Sequence, residues 1–378
     1  MAKFLAIYTD RKHININVFG FKFKLKLFFD KKMYQSFMDK KVADKTVLIV
    51  EFNDYHYETI PGLCKYCVDL GYNVDVLTRN PAEDVFKDFN LRNVRIFECN
   101  SNTFDKIYKN YDFSKYYRVI YNSKRLYLHN TDFDCSEIYK TIKCGQKSNI
   151  YLQHHIERCK ESSEIQIVLA NPAKNKALEP FVVNSHYFKS DVNIHKKNEI
   201  VNFISIGAIT KDRRNSSLLI DAVKSLKENG YSSFKVTIIG RGELENLPEQ
   251  IRGNFNILGN VDYQTMFDEI EKSDFLLPLL DPDMKEHDRY KKDGTSGSFQ
   301  LIYGFTKPCI IHKTFADIYD FSEKNAIIYN ENQNFVNSMI KAIEMKQDDY
   351  ESIQNCLKEK VKIIEEKSLE NLRGVLNA

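Results

Sequence analysis

A chain of 378 residues is long for a single core and comfortable for two domains of ordinary size. With 43% hydrophobic, 13% aromatic and 28% charged residues it has a globular composition, which excludes a disordered or fibrous protein. A net charge of +3 makes no case for nucleic acid, and no stretch nears the ~18 apolar residues of a membrane span.

The start, "MAKFLAIYTDRKHI", turns to charge too early for a secretory signal. Residues 1–40 read as an extension. "HININVFGFKFKLKLFF" alternates strictly about Phe19-Gly20, the pattern of a β-hairpin, and sets Lys22, Lys24 and Lys26 on one face. That face is either solvated or a weak contact for anionic headgroups.

From Lys45 the pattern becomes strand and helix in alternation. "KTVLIVEF" is a buried strand, "ETIPGLCKYCVDLG" a helix and "YNVDVLTRN" a strand; "NVRIFEC", "YRVIYNS", "NIYLQHH", "IQIVLANP" and "EPFVVNSHYF" read as further strands. Eight cysteines stand at 64, 67, 99, 135, 144, 159, 309 and 356. Cys64 and Cys67 form a CxxC, but the helix places both inward and no second pair lies at zinc spacing, so they read as buried thiols in a reducing cytoplasm.

After the polar stretch "KSDVNIHKKNE" a second alternation begins: strand "IVNFISIGAI", a helix from Asn215, strands "FKVTIIG" and "FNILG", helix "YQTMFDEIEKS", strand "DFLLPLL", a long loop, then "DGTSGSFQLIYGFTKP". In that last stretch Thr295, Ser296, Gly297 and Ser298 open a helix whose Phe299, Leu301, Ile302 and Phe305 face a core. Free amides at the positive end of a helix dipole make an anion site. Strands "KPCIIH" and "NAIIYN" and helices to Ala378 complete the chain.

The order of signals across 201–312 resembles the donor domain of GT-B glycosyltransferases, the family-4-like group of bacterial lipopolysaccharide and capsule enzymes; the resemblance covers roughly 45–360. It implies an α/β chain of two doubly wound Rossmann-like domains facing a central crevice, with the N-terminal hairpin added. The expected divisions are an extension over 1–40, an acceptor domain over 41–190, a donor domain over 191–355, and a C-terminal helix over 356–378 packing back on the first domain. Gly207 ends the first donor-domain strand, and the basic residues of its turn, Lys211, Arg213 and Arg214 with Asn215, are implied to meet the donor diphosphate, where a guanidinium stays charged and forks onto phosphate. Arg241 is a second candidate cation. Val261 and Tyr263 are candidates for the base. The family's two glutamates map to Asp293 and to Leu301, the latter with Gln300 beside it as polar substitute.

In the first domain the usual glycine-rich loop is replaced by "EFNDYHYETIPG", where His56 and Glu58 end a strand as candidate acceptor bases; His154 and His155 of "YLQHHIER" end another. Asp281-Pro282-Asp283 and Asp132-Phe133-Asp134 imitate a DxD metal motif, but arginines and a helix dipole suffice for a diphosphate, so neither metal nor cofactor is expected. GxGxxG is missing after every strand, which counts against an NAD enzyme. The resemblance implies transfer of a sugar from a nucleotide-sugar to a saccharide or lipid-linked saccharide in surface-glycan synthesis, with retention, in the cytoplasm or peripherally on the inner face of the membrane, and without nucleic acid. A nucleotide-sugar epimerase and a degenerate scaffold are the alternatives.

Overall fold

A computed structural model describes residues 5–9, 13–18, 21–26, 29–51, 53, 56–79, 85–123, 125–128, 131–134, 149–156, 165–189, 197–210 and 213–378. It divides into two units: Met1–Phe86 with Asn90–Leu152 and Ser163–Gln166, and Lys87–Phe89 with Gln153–Ser162 and Ile167–Ala378. Among the described residues no helix is long and apolar enough to cross a membrane.

In the first unit, β1 (Leu5–Thr9), β2 (His13–Val18) and β3 (Phe21–Lys26) form an antiparallel sheet. The β2–β3 pair is the hairpin the alternation predicts, with Val18 opposite Phe21 and His13 opposite Lys26. A separate six-stranded sheet uses β4 (Thr46–Glu51), β5 (Asn73–Arg79), β6 (Val94–Cys99), β7 (Arg118–Tyr121), β10 (Ile150–Gln153) and β11 (Ile165–Val168). β8 (Arg125–Leu128) and β9 (Thr131–Asp134) form a small antiparallel pair apart from it. The large sheet runs β11-β10-β7-β4-β5-β6, the 3-2-1-4-5-6 order of a doubly wound sheet. All six residues of β4 are buried, as expected where helices cover both faces. Helix Ile60–Asp69 presses Leu63, Cys64, Tyr66 and Cys67 inward. Burial pushes both thiols up, Cys67 to about 12, which leaves them poor nucleophiles.

The second unit repeats the order. β12 (Val201–Ile206), β13 (Phe234–Ile239), β14 (Phe255–Gly259) and β15 (Phe275–Leu276) run β14-β13-β12-β15. A parallel Leu276–Cys309 bridge carries the sheet on to β16 (Ile310–His312) and β17 (Ile327–Tyr329). Helices Ser216–Glu228 and Phe335–Glu344 pack one face through Leu219, Val223 and Met339; helices Tyr263–Lys272 and Gly297–Gly304 pack the other through Phe267, Phe299 and Ile302. Gly240 follows β13 at φ +143°, and a Cβ there would lie 2.0 Å from the Gly207 carbonyl oxygen, so only glycine lets these two strand ends meet.

Two strand expectations need correction. "EPFVVNSHYF" is no strand: Lys176–Phe181 form a 3₁₀ turn around Pro180, which lacks the N–H a ladder needs, and only Val182 bridges to Val168. "DFLLPLL" supplies just the two residues of β15, because Pro278 interrupts the ladder and Leu279 turns to φ +52°.

Candidate active site

In the second unit the strand order reverses between β12 and β15, and ligands of such sheets bind where strand ends open at that point. The loop after β12 carries Gly207, Arg213, Arg214 and Asn215; the connection after β15, Leu277 to Ser296, includes a 3₁₀ turn at Lys285–His287 and a short helix at Arg289–Lys292. Asn215 caps helix Ser216–Glu228 by accepting from Leu218 N, and its amide donates to Asp281 Oδ2 at 2.6 Å. Asp281 also accepts from Asn332 Nδ2 and from Asp283 N. This first aspartate of the DxD-like stretch therefore ties two loops together. Among the described residues no group of three or more His, Cys, Asp or Glu is placed to hold a metal ion.

Arg214 is buried, which pulls its guanidinium down from its ordinary value. Its Nη2 donates to the Ile206 carbonyl (2.6 Å) and to Ser298 Oγ (3.0 Å), Nη1 to the Arg213 carbonyl, and Nε has no acceptor. Gly207 leaves room for it, since a Cβ there would lie 2.8 Å from Nη2. From the other loop Arg289 Nη2 donates to the Tyr290 hydroxyl at 2.5 Å, while its buried Nε is also unpartnered. Burial would push the Tyr290 phenol up. Arg214 and Arg289, with hydrogen bonds from Arg213 and Arg289, outweigh burial and hold it below its ordinary value. His287 Nδ1 accepts from Asp281 N, so the ring proton sits on Nε2, a buried donor without an acceptor. Burial, with Arg214 and Arg289 nearby, keeps this imidazole neutral. The guanidiniums of Arg213, Arg214 and Arg289 thus gather at one phenol, and the buried Nε atoms of Arg214 and Arg289 and the His287 Nε2 have no described acceptor.

Helix Gly297–Gly304 begins beside Arg214. Ser296 is its N-cap, accepting from Ser298 N, and Ser298 Oγ receives Arg214. Gly297 is exposed, Thr295 half-buried, Ser296 and Ser298 buried. The helix dipole adds positive potential at this end. Gln300 is 2% exposed and neither end of its amide has a partner; Leu301 is a plain core residue. Asp293 has one buried carboxylate oxygen unpaired, and its carbonyl accepts from Ile156 N at 2.8 Å. Next to it Gly294 bridges His155, and a Cβ on Gly294 would lie 3.2 Å from His155 Nδ1. His155 is therefore brought to Asp293, while His154 is half-buried before it.

Of the other candidates, Arg241 adjoins the β12 loop through its backbone, its carbonyl accepting from Ile209 N at 2.8 Å. Arg241 is exposed. Val261 and Tyr263 are half-buried against the core, Tyr263 with its ring 6.0 Å from that of Phe267. Lys211 lies outside the described residues.

The first unit has its own reversal, between β4 and β7. Glu51 ends β4, wholly buried; it accepts from Asn53 N (2.8 Å), Asn122 Nδ2 (2.8 Å) and Ser123 Oγ (2.7 Å). Burial pushes its carboxyl up, although these hydrogen bonds and His56 pull the other way. Asn122 Nδ2 and Thr59 Oγ1 donate to the His56 carbonyl, holding His56 at φ +72°. Its Nδ1 lies 3.6 Å from Glu58 Oε1, a spacing that lets the carboxylate orient the ring.

Arg289, Tyr290, His287, Glu51 and Asn122 were absent from the sequence-derived candidates. The run "HDRYKKDG" just before Gly294, and the single acid closing the apolar "TVLIV", are the signals that mark them.

No family model matches the sequence, and no curated protein matches it. Solved structures do match in fold. A glycosyltransferase from Rickettsia africae is 12% identical, with 88% of this chain and 97% of that one covered at a TM-score of 0.53. The fold is GT-B. Anabaena HepE, solved in complex with UDP and glucose, shares the GT-B fold at 11% identity, 86% and 99% coverage and a TM-score of 0.51. A putative UDP-N-acetylglucosamine 2-epimerase from Listeria monocytogenes shares it at 10% identity, 83% and 91% coverage and 0.52. Within this GT-B chain both clusters described above sit at the reversal of a doubly wound sheet.

Proposed function

We propose that this chain is a glycosyltransferase that moves a sugar from a nucleotide-sugar to a saccharide acceptor, and that it belongs with the family-4-like enzymes of bacterial surface-glycan synthesis. The observation that carries the reading is the meeting of Arg213, Arg214 and Arg289 beside the N-terminus of helix Gly297–Gly304. Their unanswered donors, two buried guanidinium Nε and the His287 Nε2, match the oxygens of a diphosphate. Fixed donors aimed at a leaving diphosphate supply the electrostatic stabilisation that usually dominates catalysis. The leaving phosphate then takes the acceptor proton itself if configuration is retained, or one of His56, Glu58, His154 and His155 takes it. Placement in surface-glycan synthesis rests on the order of motifs across 201–312.

Thermal unfolding with UDP, GDP, ADP and their sugar conjugates tests the reading, since a ligand bound to the native state raises the midpoint by mass action. One base is expected to stand out, and no shift with any of them would refute the donor site. Turnover of the responding nucleotide-sugar is expected to survive exhaustive EDTA treatment; loss restored only by a divalent metal would show that the arginines do not suffice. Product analysis separates transfer, where the sugar leaves the nucleotide, from epimerisation, where it remains.

A further inference from the structure

The phosphate reading leaves Tyr290 unexplained. Its side chain is buried, 5% exposed, and its hydroxyl stands 2.5 Å from Arg289 Nη2 with Arg213 bonded to it as well. A guanidinium can only donate, so in the ligand-free protein the phenol oxygen serves these arginines as an acceptor. The Arg289 guanidinium carbon also lies 4.6 Å from the centre of the ring. Tyr319 fixes the connection from behind, its one hydroxyl proton shared between the carbonyls of Tyr290 (2.9 Å) and Gly294 (3.1 Å), with its ring stacked 3.9 Å from that of Phe299. Tyr290 is thus locked in the same frame that sets the helix N-terminus.

We propose that the Tyr290 hydroxyl is a resident counter-group for the arginine cluster, which an incoming diphosphate displaces as acceptor and turns into a hydrogen-bond donor. The proposal rests on the diphosphate reading of this site and adds a coupling to it. The groups facing Tyr290 are Arg213 and Arg214 from the β12 loop, Arg289 beside it, the His287 ring at 6.1 Å, and Tyr319 behind. In the empty site the arginines favour the ionised phenol. A bound diphosphate neutralises them and repels a phenolate, so the phenol regains its proton. Binding therefore takes up a proton, and affinity falls as pH rises through the range where the empty-site phenol ionises. Neutral His287 contributes no charge there.

The test is titration of inorganic pyrophosphate by calorimetry, with wild type and Tyr290→Phe, from about pH 6 up to about pH 10, the ordinary phenol value. Comparing the two proteins removes the ligand's own ionisation. Tyr290→Phe is expected to lose the alkaline fall in affinity, so that its affinity relative to wild type rises steadily with pH. A thermal melt checks that the phenylalanine protein is folded. As a second variant, Arg289→Gln removes the guanidinium 2.5 Å from the phenol oxygen and is expected to flatten the same fall. Parallel pH profiles in all three proteins, or an affinity of Tyr290→Phe that falls with pH more steeply than that of wild type, would overturn the proposal and leave the phosphate site standing. Pyrophosphate binding to none of them would remove the phosphate site itself, and the coupling with it.

Discussion

The two sheets share one strand order, yet their reversal points are finished in opposite ways. Where β4 meets β7, both oxygens of Glu51 are answered, by Asn53 N on one and by Asn122 and Ser123 on the other. Where β12 meets β15, donors exceed acceptors, and buried N–H groups of Arg214, Arg289 and His287 are left over. Native proteins pair nearly all buried polar groups, so a closed network holds geometry while an open one marks where a ligand completes it. The first end positions the backbone of His56; the second leaves buried donors over.

The largest expected effect probes this division through the histidines. His56→Ala is expected to lower kcat by about 10²–10⁴-fold, the usual loss on removing a general base, with nucleotide affinity held. His155→Ala is expected to weaken the nucleotide as well, because His155 stands against Gly294. Steady-state kinetics with calorimetry on both variants decide it. If neither variant, nor Glu58→Ala or His154→Ala, departs from the parent rate, the acceptor base lies elsewhere.

Next in size is the open end. Replacing Arg213 and Arg214 together by alanine is expected to weaken nucleoside-diphosphate binding by about 2–4 kcal/mol, as for a lost charge-assisted pair. Arg214→Ala alone should carry most of this, since it is the buried member and spans from Ile206 to Ser298. Unchanged affinity in the double variant would end the phosphate assignment.

Much of this was readable in advance for physical reasons. Apolar runs such as "VLIV" and "FISI" have few folds open to them besides buried parallel strands, and Ser296 before an apolar helix is a cap by local chemistry. The sequence pattern also led to Arg213 and Arg214, because cations at the positive end of a helix call for an anion. Arg289 and Tyr290 were hidden, since they reach the site from a four-residue helix, Arg289–Lys292, too short to show a period. Glu51 was hidden differently: a lone acid at a strand end looks solvent-facing until Asn122, 71 residues on, is seen to donate to it. Pro180 and Pro278 misled the strand reading because hydrophobic runs around them outvoted the missing N–H groups.

The smallest effect tests the closed end. In Glu51→Gln the amide oxygen can serve one side of the network, but the NH₂ must then face donors that previously met a carboxylate oxygen. Leaving one or two buried donors unmet costs about 1–3 kcal/mol of stability. The pH dependence adds the sign. Burial raises the folded-state carboxyl above its unfolded value, so the unfolded chain gives up this proton first as pH rises. The stabilisation by Glu51 is therefore complete below the ordinary glutamate value and is lost as pH climbs through the raised one. In the protonated state the Ser123 hydroxyl, 2.7 Å away, can turn to accept the carboxyl proton, so the network stays closed. Glutamine has no proton to lose. The stability gap between wild type and Glu51→Gln is expected to be widest in acid and to narrow as pH climbs above the ordinary glutamate value of about 4. Denaturant unfolding of both proteins across that range measures it. A constant gap would mean that the carboxyl does not titrate differently on folding, and a gap that widens with pH would mean that the network holds Glu51 as a carboxylate.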